Sequence, residues 1–219
     1  MSDDVRVLAI DTASPLPAVA LAHGDGRIEE RLPEGRRASE ELLPAISRCL
    51  EKGGSALSDL SRLALCAGPG SFTGLRVGLA TAWGLSRAAG IPVETVSTLE
   101  AMAEAARGNG SRRVWTALDA GRGDAVFQPF SLEGVRARAL APARLAPPER
   151  AFAEALEAGD PIVALPPELA GSRTTRLPLS PALALAVAAA RAPNPAAAAT
   201  SFEPIYTRAS AAEERRGAP

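Results

Sequence analysis

Two aspartates and one glycine-rich loop are the residues of this chain best placed to do chemistry. Asp11 closes an apolar run from Val5 to Ile10, and Asp119 closes another from Val114 to Leu118; each is followed by a short turn and a second strand-like segment. If the two segments are repeats, their carboxylates can face one another across a cleft, an arrangement suited to paired-carboxylate work. An aspartate that closes a strand is equally ordinary turn chemistry. The loop is Gly68-Pro69-Gly70, which breaks the apolar run ending at Cys66 and leads into Ser71, a good N-cap for the helix that follows. A glycine turn at a helix N-terminus offers free amides and the positive end of the helix dipole to an anion. No lysine follows these glycines and their spacing is not G-x-G-x-x-G, so a plain strand-to-helix turn stands beside the phosphate reading. The candidate phosphate-site residues are Asp11, Thr12, Gly68, Gly70, Ser71, Thr73 and Asp119.

Other chemistries lack their residues. His23 is the single histidine, so no histidine pair exists for a metal, and neither a metal ligand nor a catalytic residue is assigned. Cys66 has no cationic neighbour in sequence to make it a nucleophile, and Cys49 lies on a helical stripe; both read as reduced core thiols. A net charge of -1 argues against a dedicated basic nucleic-acid surface, so any RNA contact must be local or supplied by a partner. The acidic start, Met1-Ser2-Asp3-Asp4, is unlike a signal peptide, and Leu177 to Ala190 is too short to span a membrane, so a cytoplasmic protein without membrane contact is expected.

The elements that must position these residues alternate between strand and helix. Ala18–Ala22 and Arg27–Leu32 read as a hairpin around His23-Gly24-Asp25-Gly26. Ser39 is expected to cap a helix carrying Leu42, Leu43, Ile46, Cys49 and Leu50 at helical spacing, with Pro44 delaying its regular start by a residue or two. The helix after Ser71 should run to Gly90, ahead of Pro92. Ile91–Val96 reads as a strand, and Ser97 with Glu100 as a capping box. Gly108 and Gly110 suggest a boundary between residues 1–107 and 108–219. In the second half, strands are expected at Ala125–Phe130 and Pro161–Leu165, an edge strand near Val135–Leu140, and helices at Glu149–Glu157 and from Pro181 to Arg191. Pro193–Ala199 reads as a linker. The strand, aspartate, turn and strand plan appears twice, which points to an internally duplicated α/β fold.

Gly74, Gly78 and Ala82 recur every four residues and share one helix face. Each interior glycine costs about 0.8–1.0 kcal/mol relative to alanine, so a close neighbour must offset it. That neighbour is either the chain's own sheet or a second chain.

The string Ala67-Gly-Pro-Gly-Ser-Phe-Thr-Gly-Leu-Arg-Val-Gly-Leu-Ala80, with Val96-Ser-Thr-Leu-Glu-Ala-Met-Ala103, resembles the bacterial TsaB (YeaZ) family. Ala117-Leu-Asp-Ala-Gly-Arg-Gly-Asp-Ala-Val-Phe127 and the Pro204-x-Tyr206-x-Arg208 tail are similar to it as well. The resemblance implies a duplicated actin-like fold of two small mixed-sheet lobes. It also implies a non-catalytic subunit that supports a TsaD-like transferase in forming threonylcarbamoyladenosine on tRNA. Implied partners are that TsaD-like subunit, a TsaE-like ATPase and, for the chain alone, a second copy; tRNA is reached only through the complex. No tightly bound cofactor is implied, and ATP or ADP at the partner junction stays open. The expected partner interface is Leu42, Leu43, Ile46, Leu50, Phe72, Gly74, Leu75, Arg76, Gly78, Leu79 and Ala82, in which case Gly78→Leu blocks association and spares the fold. The alternative is a small ATP-binding or ATP-hydrolysing enzyme of the actin and sugar-kinase fold, with Asp11, Asp119 and the glycine loop around the phosphates.

Overall fold

A computed structural model of the chain describes residues 5–107, 110–169, 177 and 179–191. The linker at 193–199, the tail at 202–208 and the glycine Gly108 lie outside them. Two mixed sheets carry the architecture. The first comprises β1 (Arg6–Asp11), β2 (Ala18–His23), β3 (Gly26–Arg31), β4 (Arg62–Cys66) and β5 (Val93–Val96), in the order β3-β2-β1-β4-β5. The β1-β2-β3 meander is antiparallel, and β4 and β5 run parallel to β1. In the second sheet β6 (Arg113–Asp119) pairs antiparallel with β7 (Ala125–Ser131), and β10 (Ile162–Leu165) lies parallel to β6 on its other side. Two short strands, β8 (Arg138–Ala139) and β9 (Arg144–Ala146), pair with opposite ends of β7. The order β8-β7-β6-β10 repeats β3-β2-β1-β4, so the duplication read from the two aspartates is present in the topology.

Strand patterning decides which helix covers which face. On the first sheet Leu8, Ile10, Val19, Leu21, Leu63 and Leu65 face α1 (Ala38–Lys52) and α2 (Phe72–Ala89). The opposite face carries Val7, Ala9, Ala18, Ala20, Ala22, Ala64 and Cys66, mostly small, and is covered by α5 (Pro181–Arg191). Small residues on both sides let the helix settle close to the strands. Because α5 lies between this sheet and α3 (Thr98–Ala105), it is apolar all round, as a helix buried on every side must be. The second sheet buries Val114, Leu118, Val126 and Phe130 against α3, and Trp115, Phe127 and Ile162 against α4 (Pro148–Ala158).

The sequence boundary at 107/108 does not separate the packing. α3 leans on the second sheet, and α5, from the second half, completes the core of the first. Charge crosses the junction too: Arg136 of the second half pairs with Glu94 on β5 and with Glu100 on α3 (3.3 Å), while Glu94 also faces the buried Arg62 (3.7 Å).

Several expectations shift in detail. α1 begins at Ala38, with Arg37 rather than Ser39 at the N-cap, and it passes through Pro44 without a delayed start. Pro44 sits on the outer, exposed face, where water can satisfy the carbonyl that loses its N–H partner. The edge strand near 135–140 shrinks to two residues, and β9, too short for any alternation to show, was not expected.

The face of α2 that bears Gly74 and Gly78 lies over β4 and against Thr12, just past the end of β1. A Cβ at Gly74 would stand 1.8 Å from the Thr12 carbonyl oxygen, and one at Gly78 would stand 2.4 Å from Thr12 Oγ1 and 3.3 Å from Leu65 Cδ1. The chain's own sheet is therefore the neighbour that requires the glycines. Gly78→Leu is corrected accordingly: it strikes the chain's own fold, against Thr12 and Leu65. Gly74→Ala is expected to gain about 1 kcal/mol in helix propensity yet to unfold more easily than wild type, since overpacking costs about 1–3 kcal/mol and here meets backbone. Chemical denaturation of both variants tests this, and an unchanged midpoint in either would contradict it.

Candidate functional site

Asp11 ends β1 with no exposed surface. One carboxylate oxygen accepts the amides of Ala13 (2.9 Å) and Ser14 (3.0 Å), and the other accepts the Ser14 hydroxyl (2.5 Å). The Cys66 thiol, buried on the neighbouring β4, completes the set. Burial raises the Asp11 carboxyl above its ordinary value of 3.8, partly opposed by the Ser14, Ala13 and Cys66 hydrogen bonds. Burial likewise pushes the Cys66 thiol well up, with the Asp11 charge adding to it, and burial lifts Cys49 to about 11. Both cysteines are free and buried. A carboxylate folded back on its own loop holds that loop shut and offers nothing to a cleft.

The glycine loop closes against the same segment. The Ser71 amide donates to Ala13 O (2.8 Å), the Thr98 amide to Gly68 O (2.7 Å), and Thr12 Oγ1 to Gly74 O (2.7 Å). Ser71 caps α2 by accepting the Gly74 amide at 3.2 Å. At Gly70 a Cβ would lie 2.1 Å from Ala13 O. The structure thus brings Asp11, Thr12, Gly68, Gly70 and Ser71 together, but as two loops bonded to one another: the amides of Ser71 and Gly74, which a phosphate would need, already have partners. Thr73 is exposed on the first turn of α2. Asp119 is exposed on the second sheet, where it accepts the Gly121 amide (2.7 Å) in a tight turn. Of the two carboxylates read as a possible pair, Asp11 is fully buried and Asp119 is exposed. Among the described residues no three histidine, cysteine or carboxylate side chains gather to hold a metal.

The residues expected at a partner interface divide in two. Leu42, Ile46, Gly74, Leu75, Gly78 and Ala82 are buried against the chain's own sheet and belong to the core. Leu43 (56% exposed) and Arg76 stand outside, with Phe72, Leu79 and Leu50 half-buried. Along α2, Phe72, Arg76, Leu79, Trp83 and Arg87 share a face at helical spacing. Arg76 lies over the Phe72 ring at 3.9 Å, and Arg87 over Trp83 at 5.6 Å. Trp83 (39% exposed) and Arg87 were not singled out from sequence; a tryptophan four residues after Leu79 and four before an arginine was the available signal. Aromatic rings and arginine are enriched at protein interfaces, whereas single exposed apolar residues need no explanation. The outward side of α2 therefore has the character of a docking face.

With two mixed sheets of repeated topology, the chain is of the duplicated actin-like class. The family described as "TsaD: tRNA N6-adenosine threonylcarbamoyltransferase" matches residues 33–168. The Escherichia coli protein "tRNA threonylcarbamoyladenosine biosynthesis protein TsaB" is 41% identical over 58% of this chain and 55% of its own length, and the Haemophilus influenzae protein of that name is 35% identical over 61% and 57%. Among solved structures, "YeaZ from Pseudomonas aeruginosa" matches at 33% identity with a TM-score of 0.62, covering 67% of this chain and 69% of that one. The chain belongs to the TsaD family, in its TsaB (YeaZ) group. It spans about half the length of the curated relatives it matches.

The sealed aspartate gives a test of sign. A carboxyl whose folded value is raised contributes stability that is fully present below pH 3.8 and is lost as pH rises through the raised value. Asp11→Asn keeps the uncharged form with an oxygen for the two amides. Its stability relative to wild type is expected to grow as pH rises from below 3.8 and then to level off. Asp11→Ala strands two buried amides and is expected to lie below Asp11→Asn by about 1–3 kcal/mol per amide at every pH. Denaturation midpoints from pH 3 upward read this out, and parallel curves for wild type and Asp11→Asn would contradict it.

Proposed function

We propose that this chain is a non-catalytic supporting subunit in the formation of threonylcarbamoyladenosine on tRNA. In this reading it holds a TsaD-like transferase through the outward face of α2 and the adjoining Leu43. The observation that carries the supporting role is the closed Asp11 loop, whose acid and neighbouring amides are spent within the fold. The pathway is supported by the names of the relatives, tRNA threonylcarbamoyladenosine biosynthesis proteins. Alone, the same face would pair with a second copy, in competition with the transferase subunit. A TsaE-like ATPase joins the assembly from outside this chain, any ATP or ADP sits at the junction with the partner, and the work takes place in the cytoplasm with tRNA. No helix among the described residues is long and apolar enough to cross a membrane.

Purified with its TsaD-like and TsaE-like partners and a threonylcarbamoyl donor, the chain is expected to be required for modification of tRNA, and Asp11→Asn to retain that activity. Leu43→Glu with Trp83→Glu should reduce association with the transferase subunit at least tenfold while keeping a wild-type unfolding midpoint, since both side chains are exposed. Magnesium-dependent ATP hydrolysis by the lone chain, abolished in a folded Asp11→Asn variant, would instead establish the small-ATPase reading.

A further inference from the structure

The second sheet has an open end beyond the cover of α4. In the β6-β7-β8 ladder Arg113 lies opposite Ser131, and Ser131 opposite Arg138. Residues paired across strands point to one face, so the three make a row, with Arg113 and Arg138 separated by two strand spacings, about 10 Å. The row borders a groove of about 480 Å³ whose remaining walls are Arg112, Glu133 and Leu140.

The charges facing the groove are held unequally. Arg112 meets Glu133 at 3.7 Å, with both side chains mostly exposed, and Arg113 meets Asp160 at 3.4 Å. The exposed Arg112–Glu133 pair is worth about 0–1 kcal/mol and can exchange with an incoming anion, whereas Asp160 is mostly buried and also accepts the Trp115 indole N–H, so Arg113 would reach an anion while keeping that partner. Arg138 is exposed and has no ion pair among the described residues. Ser131, buried at the centre of the row, accepts the Glu133 amide through its hydroxyl oxygen (3.2 Å) and keeps a hydroxyl proton to donate. Guanidinium forks on either side of a hydroxyl donor suit a chain of phosphates better than a single carboxylate.

We propose that this arginine-serine-arginine row contacts the phosphodiester backbone of RNA, resting on the reading of the chain as part of a tRNA-modifying assembly. Among the described residues no aromatic ring lines the groove to stack on a base, and the contact positions the RNA without reading its sequence. A net charge of -1 supplies no general attraction, so the row adds to the grip of the whole assembly and binds weakly on its own.

The test uses Arg113→Ala with Arg138→Ala, the two arginines of the row and both exposed, in the complete complex with its transferase partner. Dissociation constants for tRNA are measured between 50 and 200 mM salt. The variant complex is expected to bind roughly three- to tenfold more weakly at low salt, and its plot of log affinity against log salt to be shallower by about two. Unchanged affinity and slope, in a variant complex of unchanged mass that still modifies tRNA, overturns this inference and leaves the functional reading standing. A variant complex that falls apart overturns it in favour of an acidic protein segment in the groove. A wild-type complex that neither binds nor modifies tRNA overturns both.

Discussion

The packing of Thr12 against the smooth face of α2 is the contact on which the first lobe depends. The Thr12 carbonyl occupies the space where a side chain at residue 74 would begin, and its hydroxyl bonds the Gly74 carbonyl while filling the space at residue 78. Two glycines in a helix interior cost about 2 kcal/mol of propensity, and what offsets it is an approach of helix to strand end that no larger residue permits. From that approach the rest follows. The loop after Asp11 comes within reach of Gly70 and the Ser71 amide, the cap of α2 is fixed, and Gly68 is held by the Thr98 amide at the start of α3. One contact thus sets the positions of two loops and two helices.

The two halves share a plan and differ in what they do with it. Asp11 and Asp119 end equivalent central strands, yet one is fully buried and surrounded by donors while the other is exposed and caps a turn. A buried acid is tolerable only because its oxygens are met by the Ala13 and Ser14 amides, the Ser14 hydroxyl and the Cys66 thiol, and these donors close the loop on itself. On the outward side of α2, by contrast, guanidinium groups lie over aromatic rings at the surface.

Much of this was legible in the chain. Ser71 and Gly90 bounded α2, the two aspartates announced the repeat, and Ser180-Pro181 marked the start of α5, because each rests on local backbone chemistry. The direction of the Gly74, Gly78 and Ala82 stripe was not legible: four-residue spacing defines a face but not its neighbour. Nor could Leu42 be told from Leu43 as core against surface without knowing where the sheet lies, although they are adjacent in sequence. Strands of two and three residues such as β8 and β9 have too few positions to show a period. The row of Arg113, Ser131 and Arg138 emerges only once the register of three strands is known.

The crossing of α5 onto the first sheet bears on how the molecule is made. A ribosome emits β1 to β5 long before residues 181–191, so the alanine-lined side of the nascent sheet has no cover during most of synthesis. Contacts so distant along the chain raise the contact order and slow the final closure. Until then that apolar side is open to association with other chains or to chaperones. The first lobe is therefore encoded early and completed late, and a chain cut short of α5 would emerge with its most buried strands exposed to water.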